Sequence, residues 1–329
     1  MQNALIDKYG RRLDYLRLSV TDRCNLRCYY CMPEEGMKFV NSNKLLSWDE
    51  MYLLTSIFTE LGVSKIRITG GEPFARNGLM PFLHNIRALD GMQEINITTN
   101  ATFTEKYIAE LQSLGILKLN ISLDSLDAQR FYEITRRNVF ADVYQTVIQL
   151  LNKGFDIKLN CVLSASKNTA DIIPFIELTK NHNLSVRFLE EMPFNGGETF
   201  NNINWNYKDI YHHISQHYDE IITLTNAPNS TSLNYMVPGY RGRFGIIPSF
   251  SRTFCGTCNR IRLSATGELR TCLYGAPAAN LRDEMRAGAS ENELKQTIIN
   301  AVLGRERDGF MAEQNNTKSI HDSMSVLGG

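Results

Sequence analysis

Six of the seven cysteines stand in two groups of three, and cysteine thiolates are the ligands of iron–sulfur clusters and of many zinc sites. The two groups are Cys24-x3-Cys28-x2-Cys31 and Cys255-x2-Cys258-x13-Cys272. Ordinary iron–sulfur and structural zinc sites use four ligands, so three cysteines leave one metal position open to a substrate or cofactor. A zinc site completed by a histidine or a carboxylate is the alternative, although every histidine lies far from both groups in sequence.

Arginines crowd around the second cysteine group. Between Gly239 and Cys272 there are six arginines and a single acid, Glu268, in a chain whose 35 basic and 35 acidic residues otherwise balance. Because arginine binds phosphate oxygens in bidentate pairs, this segment predicts an anion site. A solvated basic face is the alternative for single arginines such as Arg241. No G-x-x-x-x-G-K-[ST] loop occurs, so side chains would have to hold a nucleoside triphosphate.

A glycine pair follows the second β-rich segment of the chain, in the run Thr69-Gly70-Gly71-Glu72-Pro73. Two glycines let a ligand approach the backbone, and Glu72 offers a carboxylate to an ammonium group. A turn between a strand and a helix is the alternative interpretation.

Six β-rich segments with helical patterns between them must position these residues. The segments are 15–20, 65–69, 94–98, 117–123, 156–163 and 184–190. A capping box at Ser47 and Glu50 predicts the start of the first helix between them. Alternation of strand and helix predicts a parallel α/β sheet with right-handed crossovers, and polar alternate positions indicate an interior that holds a ligand. Six such units without a Rossmann fingerprint predict an incomplete (βα)6 TIM-type barrel.

The pattern changes after about residue 195. We expect one helix over 205–218, then strands and turns to residue 271, then two helices, the second opened by a capping box at Ser290 and Glu293. The sequence therefore predicts a barrel domain over 1–232 and a C-terminal α+β extension over 233–329 that carries the second cysteine group.

The composition limits the classes of protein to which this chain can belong. The 43% hydrophobic and 21% charged residues are typical of a folded globular chain, and a net charge of zero gives no support for a nucleic-acid or membrane-surface protein. No run approaches the ~20 apolar residues of a membrane span, and the first eight residues lack the features of a secretory signal. We therefore expect a cytoplasmic protein that binds neither nucleic acid nor membrane. The oligomeric state stays open, a homodimer included.

The first cysteine group and its flanks, TDRCNLRCYYCMP at 21–33, resemble the cluster loop of radical S-adenosylmethionine (SAM) enzymes. The resemblance implies that Cys24, Cys28 and Cys31 hold a [4Fe–4S] cluster whose open iron binds the amino and carboxylate groups of SAM. It also implies that Tyr30 contacts the adenine, and that the segment with Gly71 holds the SAM amino group.

A longer series of motifs resembles the GTP 3′,8-cyclases of molybdenum-cofactor biosynthesis, the MoaA family. The motifs span nearly the whole chain: LRLSVTDRC at 16–24, IRITGGEP at 66–73, TTN at 98–100, NISLD at 120–124, RFLEEM at 187–192, the second cysteine group and the terminal Gly-Gly. Ala101, where the family often has glycine, departs from the pattern without removing a ligand.

Carried over residue by residue, the resemblance implies three sets of contacts. The SAM site is lined by Tyr30, Gly71, Ser122 and Met192. A second [4Fe–4S] cluster, whose open iron meets the guanine, is held by Cys255, Cys258 and Cys272. GTP is contacted by Arg17, Arg67, Thr98, Lys158, Arg260 and Arg262. Lys65 is a weaker candidate for the phosphates, and no catalytic residue is assigned beyond these.

The implied reaction starts with cleavage of SAM to a 5′-deoxyadenosyl radical, which removes the ribose 3′ hydrogen of GTP. The carbon radical attacks C8 of guanine, and reduction gives (8S)-3′,8-cyclo-7,8-dihydroguanosine 5′-triphosphate, the first step toward molybdopterin. The resemblance further implies an electron donor and a downstream cyclic pyranopterin monophosphate synthase as pathway partner. It places the tail ending in Gly328 and Gly329 near the arginines, with a frayed terminus as the alternative. Cys161 is interpreted as a core thiol.

Two other functions remain open on the sequence alone. Radical SAM peptide-modifying enzymes also carry auxiliary clusters in C-terminal extensions, but they usually need more than three cysteines there. A zinc or iron–sulfur protein that senses redox state or grips nucleic acid would also use cysteine groups. Neutral charge and the absence of an RNA-binding motif argue against that second alternative.

Overall fold

The computed structural model describes residues 4–33, 36–192, 205–316 and 323–327. The strands in these ranges are β1 (Tyr15–Ser19), β2 (Lys65–Thr69), β3 (Glu94–Thr99), β4 (Lys118–Ser122), β5 (Asp156–Leu163), β6 (Ser185–Glu190), β7 (Ile222–Thr223), β8 (Leu233–Met236), β9 (Arg243–Ile247), β10 (Arg260–Leu263), β11 (Glu268–Arg270) and β12 (Ala279–Asn280). The α-helices are α1 (Trp48–Glu60), α2 (Leu79–Arg87), α3 (Ile108–Ser113), α4 (Ala128–Thr135), α5 (Phe140–Asn152), α6 (Ile172–Asn181), α7 (Tyr207–Ser215), α8 (Leu281–Arg286), α9 (Glu291–Leu303), α10 (Gly309–Gln314) and α11 (Met324–Leu327).

The chain divides into two compact units, and unit 1 comprises Met1–Asn25, Met37–Thr98 and Cys255–Gly329. Its strands follow the order β12-β11-β10-β1-β2-β3. β10, β1, β2 and β3 run parallel, whereas β11 and β12 are antiparallel additions at the β10 side. Leu16, Ile66 and Ile97 are buried on the apolar face of these strands, so the opposite face is left to polar side chains.

Unit 2 comprises Leu26–Gly36 and Thr99–Phe254. Its strands follow the order β4-β5-β6-β9-β8-β7, with β4, β5, β6 and β9 parallel and β8 and β7 antiparallel. β5 alternates along its whole length between buried residues such as Ile157 and Leu159 and half-buried polar ones such as Lys158 and Asn160. One face of this sheet is therefore apolar and packed, and the other carries polar groups.

The prediction of six strands with parallel pairing is confirmed, each strand being found within a residue or so of its expected ends. Two predicted capping boxes are also present, at Ser47 and Glu50 before α1 and at Ser290 and Glu293 before α9. The side chain in each box closes the first helical turn, so these helices begin where local chemistry requires.

The C-terminal region departs from the prediction in two places. The helix expected over 205–218 is shorter, because α7 begins after the Asn206 cap and ends at Ser215. The expectation of two helices after residue 271 is met by α8 and α9, but α10 and α11 were missed. α10 is only six residues long and is started by the Asp308 side chain, which accepts from the backbone N–H groups of Phe310 and Met311. Six residues are too few to show a helical period in sequence.

Among the described residues, no helix combines the length and the apolar character that crossing a membrane requires.

Candidate functional site

The first cysteine group is divided between the two units. Cys24 follows β1 in unit 1, whereas Cys28 and Cys31 belong to unit 2. Within unit 2 the backbone N–H of Cys31 donates to the carbonyl of Cys28 at 2.9 Å, which forms a tight turn between these two thiols. All three cysteines of the group are half-buried.

The glycine pair after β2 packs against the backbone that leads to Cys24. The N–H of Gly71 donates to the carbonyl of Thr21 at 2.7 Å, and the N–H of Glu72 donates to that of Arg23 at 2.8 Å. A Cβ at Gly71 would lie 2.3 Å from the Arg23 carbonyl oxygen. Gly71 is therefore required because the backbone of the chain's own cysteine loop lies against it. From the sequence alone, the glycine pair is interpreted as making room for a ligand or as a turn.

Four arginines of unit 1 share one face of its parallel strands. β1 pairs with both β10 and β2, so that Arg17 lies opposite Arg262 on one side and opposite Arg67 on the other. Arg260 lies opposite Tyr15, two residues before Arg17 and therefore on the same face. We call Arg17, Arg67, Arg260 and Arg262 the arginine cluster. These residues are distant in sequence and are brought together by strand order.

The arginine cluster concentrates positive charge at buried positions. Arg67 and Arg262 are each 7% exposed, and the Arg17 Nε is buried without a hydrogen-bond partner in the described structure. Burial and the neighbouring Arg262 and Arg67 charges hold the pKa of Arg17 well below its ordinary value. Burial and Arg260 likewise lower the pKa of Arg262 to about 10. Guanidinium groups that repel one another in a dry environment are stabilised by a bound anion.

Two further side chains complete this face of unit 1. Arg67 donates to the Thr98 hydroxyl at 3.4 Å, and its Nε also donates to the Tyr15 hydroxyl. Lys65 forms an ion pair with Glu94 at 2.8 Å. The lysine charge is thus compensated by a neighbouring carboxylate.

The second cysteine group lies wholly in unit 1. The N–H of Cys258 donates to the carbonyl of Cys255 at 3.2 Å, and Cys272 follows β11. Burial raises the pKa of Cys255, and the charges of Cys272 and Cys258 raise it further. Burial also acts to raise the pKa of Cys258, but the Arg260 and Arg305 charges outweigh it and lower that pKa to about 6.

This donor set is compatible with an iron–sulfur cluster, because cysteine thiolates are the usual protein ligands of such clusters. Arg260 donates to the Cys258 sulfur at 3.2 Å, and a cysteine with a lowered pKa is a thiolate at neutral pH, the form that binds metal. In the described ranges no three Cys, His, Asp or Glu side chains converge as the ligands of one ion would.

An N-terminal clamp that sequence reasoning missed holds the second cysteine group. Arg11 donates to the carbonyl of Cys255 at 3.2 Å and to those of Glu306 and Arg307 at 2.8 and 2.6 Å. Asp7 pairs with Arg11 at 2.6 Å and fixes the guanidinium. Arg305 donates to the carbonyl of Cys258 at 2.9 Å. No local signal links residue 11 to residue 255, so only the folded chain reveals this contact.

Polar side chains of unit 2 form a row across its parallel strands. Ser122 at the end of β4 lies opposite Asn160 on β5, and Asn160 lies opposite Arg187 on β6. Lys158 precedes Asn160 on the same face, 3.7 Å from Asp156. The Asn160 Oδ1 is buried without a hydrogen-bond partner among the described residues. Sequence reasoning missed Asn160 and Arg187, although the polar alternation of β5 and β6 could have indicated both.

Other predicted residues have simpler surroundings. Met192 is half-buried just after β6. The Asn100 side chain accepts from the N–H and hydroxyl of Thr102, at 3.1 and 2.6 Å, and so caps the turn after β3. Cys161 is fully buried, as expected of a core thiol. Gly328 and Gly329 lie outside the described residues.

Two family profiles match the chain. The profile of the radical SAM superfamily matches residues 18–179, and the profile named Molybdenum Cofactor Synthesis C matches residues 184–311. Together they account for most of the sequence, including the two cysteine groups.

Curated relatives match over nearly the full chain. Molybdenum cofactor biosynthesis protein 1 of Drosophila melanogaster is 42% identical over 303 residues, which are 92% of this chain and 54% of that protein. GTP 3′,8-cyclase of Petrotoga mobilis is 39% identical over 306 residues, 91% of this chain and 93% of that protein. The chain thus spans about half the length of several curated relatives, such as the Drosophila protein, and nearly all of the bacterial one.

Solved structures of Streptococcus suis SuiB share the fold. The structure bound to the precursor peptide SuiA gives a TM-score of 0.63 at 12% identity, and the one bound to SAM gives 0.61 at 13%. Each comparison covers 95% of this chain, and the covered share of the SuiB chain is 70% and 71% respectively. At this identity the likeness shows the fold alone.

Proposed function

This chain belongs to the GTP 3′,8-cyclase family of radical SAM proteins, and we propose that it converts GTP to (8S)-3′,8-cyclo-7,8-dihydroguanosine 5′-triphosphate, the first step of molybdenum-cofactor biosynthesis. A [4Fe–4S] cluster and SAM are the cofactors of the radical SAM superfamily. The relative from Petrotoga, aligned along nearly its whole length, supports the cyclase activity rather than peptide modification.

The cysteines would hold the cofactors. In this proposal Cys24, Cys28 and Cys31 bind the first cluster, and a second [4Fe–4S] cluster is held by Cys255, Cys258 and Cys272. Tyr30, Gly71, Ser122 and Met192 contact SAM. The bound cluster and SAM together supply the 5′-deoxyadenosyl radical that starts the reaction.

The arginine cluster is the observation that carries the proposal. GTP brings about four negative charges on its triphosphate, and a set of buried and half-buried arginines with an unpartnered Nε at Arg17 is suited to bind them. We propose that Thr98 and Lys158 join these arginines in contacting GTP. Holding the triphosphate at several points fixes the ribose, which a reaction at one ribose carbon requires.

The finer architecture is also a proposal. Parallel strands in both units and the fold shared with SuiB support an incomplete barrel of the radical SAM class. We place the barrel domain at 1–232 and an extension carrying the second cluster at 233–329. An electron donor and a downstream cyclic pyranopterin monophosphate synthase would be the partners, in the cytoplasm, and self-association as a homodimer is compatible with the proposal.

An anaerobic assay tests the activity. Reconstituted protein should carry about eight irons and eight sulfides per chain if two [4Fe–4S] clusters form. The protein is then incubated with SAM, a strong reductant and each nucleoside triphosphate in turn. Only GTP should cause substrate-dependent release of 5′-deoxyadenosine, and mass spectrometry should detect the cyclised nucleotide in that reaction. Two zinc ions per chain, or coupled turnover with a peptide instead, would overturn the proposal.

A matched pair of arginine variants tests the anion site. Arg262→Ala removes a buried cation of the arginine cluster and should weaken GTP binding about 10- to 100-fold, the usual worth of a charge-assisted contact. Arg241→Ala removes an exposed arginine elsewhere and should leave GTP affinity unchanged. Arg262 is preferred to Arg260 because Arg260 also contacts the Cys258 sulfur. Equal GTP affinities in both variants would contradict the assignment.

A further inference from the structure

Tyr30, between two cysteines of the first group, has a buried hydrogen-bond partner far along the chain. Its hydroxyl donates to the Oδ2 of Asp124 at 2.6 Å. Asp124 follows β4 in unit 2 and is only 3% exposed. The Tyr30 hydroxyl is the donor of this bond and the carboxylate oxygen is the acceptor.

Asp124 is itself held in one orientation. Its Oδ1 accepts from the backbone N–H of Val162 at 2.9 Å, so each carboxylate oxygen has a donor. Its backbone carbonyl accepts from the Asn168 side chain at 2.8 Å. The same Asn168 amide also donates to the Val162 carbonyl at 2.9 Å. The Tyr30 hydroxyl is therefore bound to a group that is fixed on β5.

The backbone around Tyr30 is held separately, by the end of α4. The N–H of Arg27 donates to the Thr135 carbonyl at 2.9 Å, and the N–H of Tyr29 donates to the Ile134 carbonyl at 3.1 Å. Arg136, in the left-handed conformation with a φ of 55°, closes the helix and turns these carbonyls toward the loop. These bonds anchor the loop at Arg27 and Tyr29, and the bond from the Tyr30 hydroxyl to Asp124 is the next anchor along it. The Tyr30 ring also packs edge-to-face on the Tyr29 ring, with centroids 5.5 Å apart.

We propose that Asp124 is a positioning residue for SAM: by binding the Tyr30 hydroxyl, it holds the ring in one rotamer before SAM arrives. This inference rests on the proposed function, in which Tyr30 contacts SAM. A ring that is already ordered loses no side-chain freedom on binding, which lowers the cost of association. Each Asp124 oxygen already accepts a hydrogen bond within unit 2, one of them from Tyr30, and the proposed effect on SAM is exerted through that tyrosine.

Three single variants and one double variant of the cluster-loaded protein test the hydrogen bond between Tyr30 and Asp124, which we call the tether. Asp124→Asn presents an amide in place of one acceptor oxygen, and Tyr30→Phe removes the donor. Each should weaken SAM binding about 3- to 10-fold by calorimetry, the worth of ordering one side chain. The double variant should be no weaker than either single variant, because both changes remove the same hydrogen bond.

Asp171→Asn is the matched control. Asp171 is also a buried carboxylate of unit 2, but it binds Ser125 and Arg130 and does not contact Tyr30. It should lower the melting temperature while leaving SAM affinity unchanged. A purely structural role for Asp124 would instead make Asp124→Asn behave like this control, with additive effects in the double variant, and would overturn the proposal.

A measurement on the cluster-free full chain separates this inference from the proposed function. Hydrogen–deuterium exchange over residues 26–33 should be faster in Asp124→Asn and Tyr30→Phe than in Asp171→Asn or the unsubstituted protein. Equal exchange in all four proteins would refute the tether even if the cyclase assay succeeds. Should the unsubstituted protein fail to bind SAM, the proposed function falls, and faster exchange in the two variants would still establish the tether. Tyr30→Phe decides the question alone if Asp124→Asn does not fold.

Discussion

Tyr15 allows the arginine cluster to be tested directly, because its ionisation responds to the charges around it. Burial acts to raise the pKa of Tyr15, but the Arg67 and Arg17 charges outweigh it and lower that pKa to about 8. Lys65 stands over the same ring, with its Nζ 4.9 Å from the ring centroid. An anion bound to the arginines would neutralise the charges that lower the pKa.

The pKa shift of Tyr15 determines the size and the sign of its contribution to folding stability. The pKa of Tyr15 falls from an ordinary value of 10.0 to about 8, a change of about 2 pH units. This shift corresponds to a contribution of at most about 3 kcal/mol to the free energy of unfolding. Since the folded pKa lies below the unfolded one, the ionised tyrosine favours folding. The contribution is complete above about pH 10 and is lost as the pH falls through about 8. Relative to Tyr15→Phe, the unsubstituted protein should therefore gain stability between pH 7 and pH 10.

The assay is a pH titration of cluster-free protein labelled with 13C at the tyrosine Cζ, with Tyr15 assigned by its absence from the Tyr15→Phe spectrum. We expect a midpoint near pH 8 in the free protein and a midpoint near or above 10 after addition of inorganic triphosphate. Arg241→Ala should titrate like the unsubstituted protein. A midpoint near 10 without ligand, or one that triphosphate leaves unchanged, would refute the reasoning about the arginine cluster.

Three further predictions concern residues that hold the site together. Glu190→Ala removes a buried carboxylate that accepts from three backbone N–H groups and the Ser251 hydroxyl. It should lower the free energy of unfolding, measured by chemical denaturation, by about 3–5 kcal/mol. The control Glu191→Gln should lower it by less than about 1 kcal/mol. Arg11→Ala frees the carbonyl of Cys255 and should lower iron retention to about four per chain after gel filtration, with retention of all eight irons contradicting the clamp. Gly71→Ala forces a Cβ against the backbone before the first cysteine group and should displace that loop. Thiol labelling of the group in cluster-free protein should therefore become several-fold faster. An unchanged labelling rate would show that the backbone accommodates the methyl group without displacing the cysteines.

Local sequence signals predicted the elements of this protein well. Alternation of apolar and polar residues located β1 to β6, and capping boxes located the starts of α1 and α9. These signals work because a strand or a helix start is decided by neighbours within a few residues. α10 was missed because its start depends on one Asp308 side chain and its length is under two turns.

The sequence by itself determined the cysteine spacings, the arginine-rich segment and the order of strands and helices, since each is a pattern of neighbouring residues. Only the tertiary structure decided which of these residues meet. The pairing of β1 with β10 places Arg17 beside Arg262, and folding brings Arg11 to Cys255 and Asp124 to Tyr30. These contacts join residues separated by about 90 to 250 positions, and they depend on strand register and packing, which no local pattern encodes.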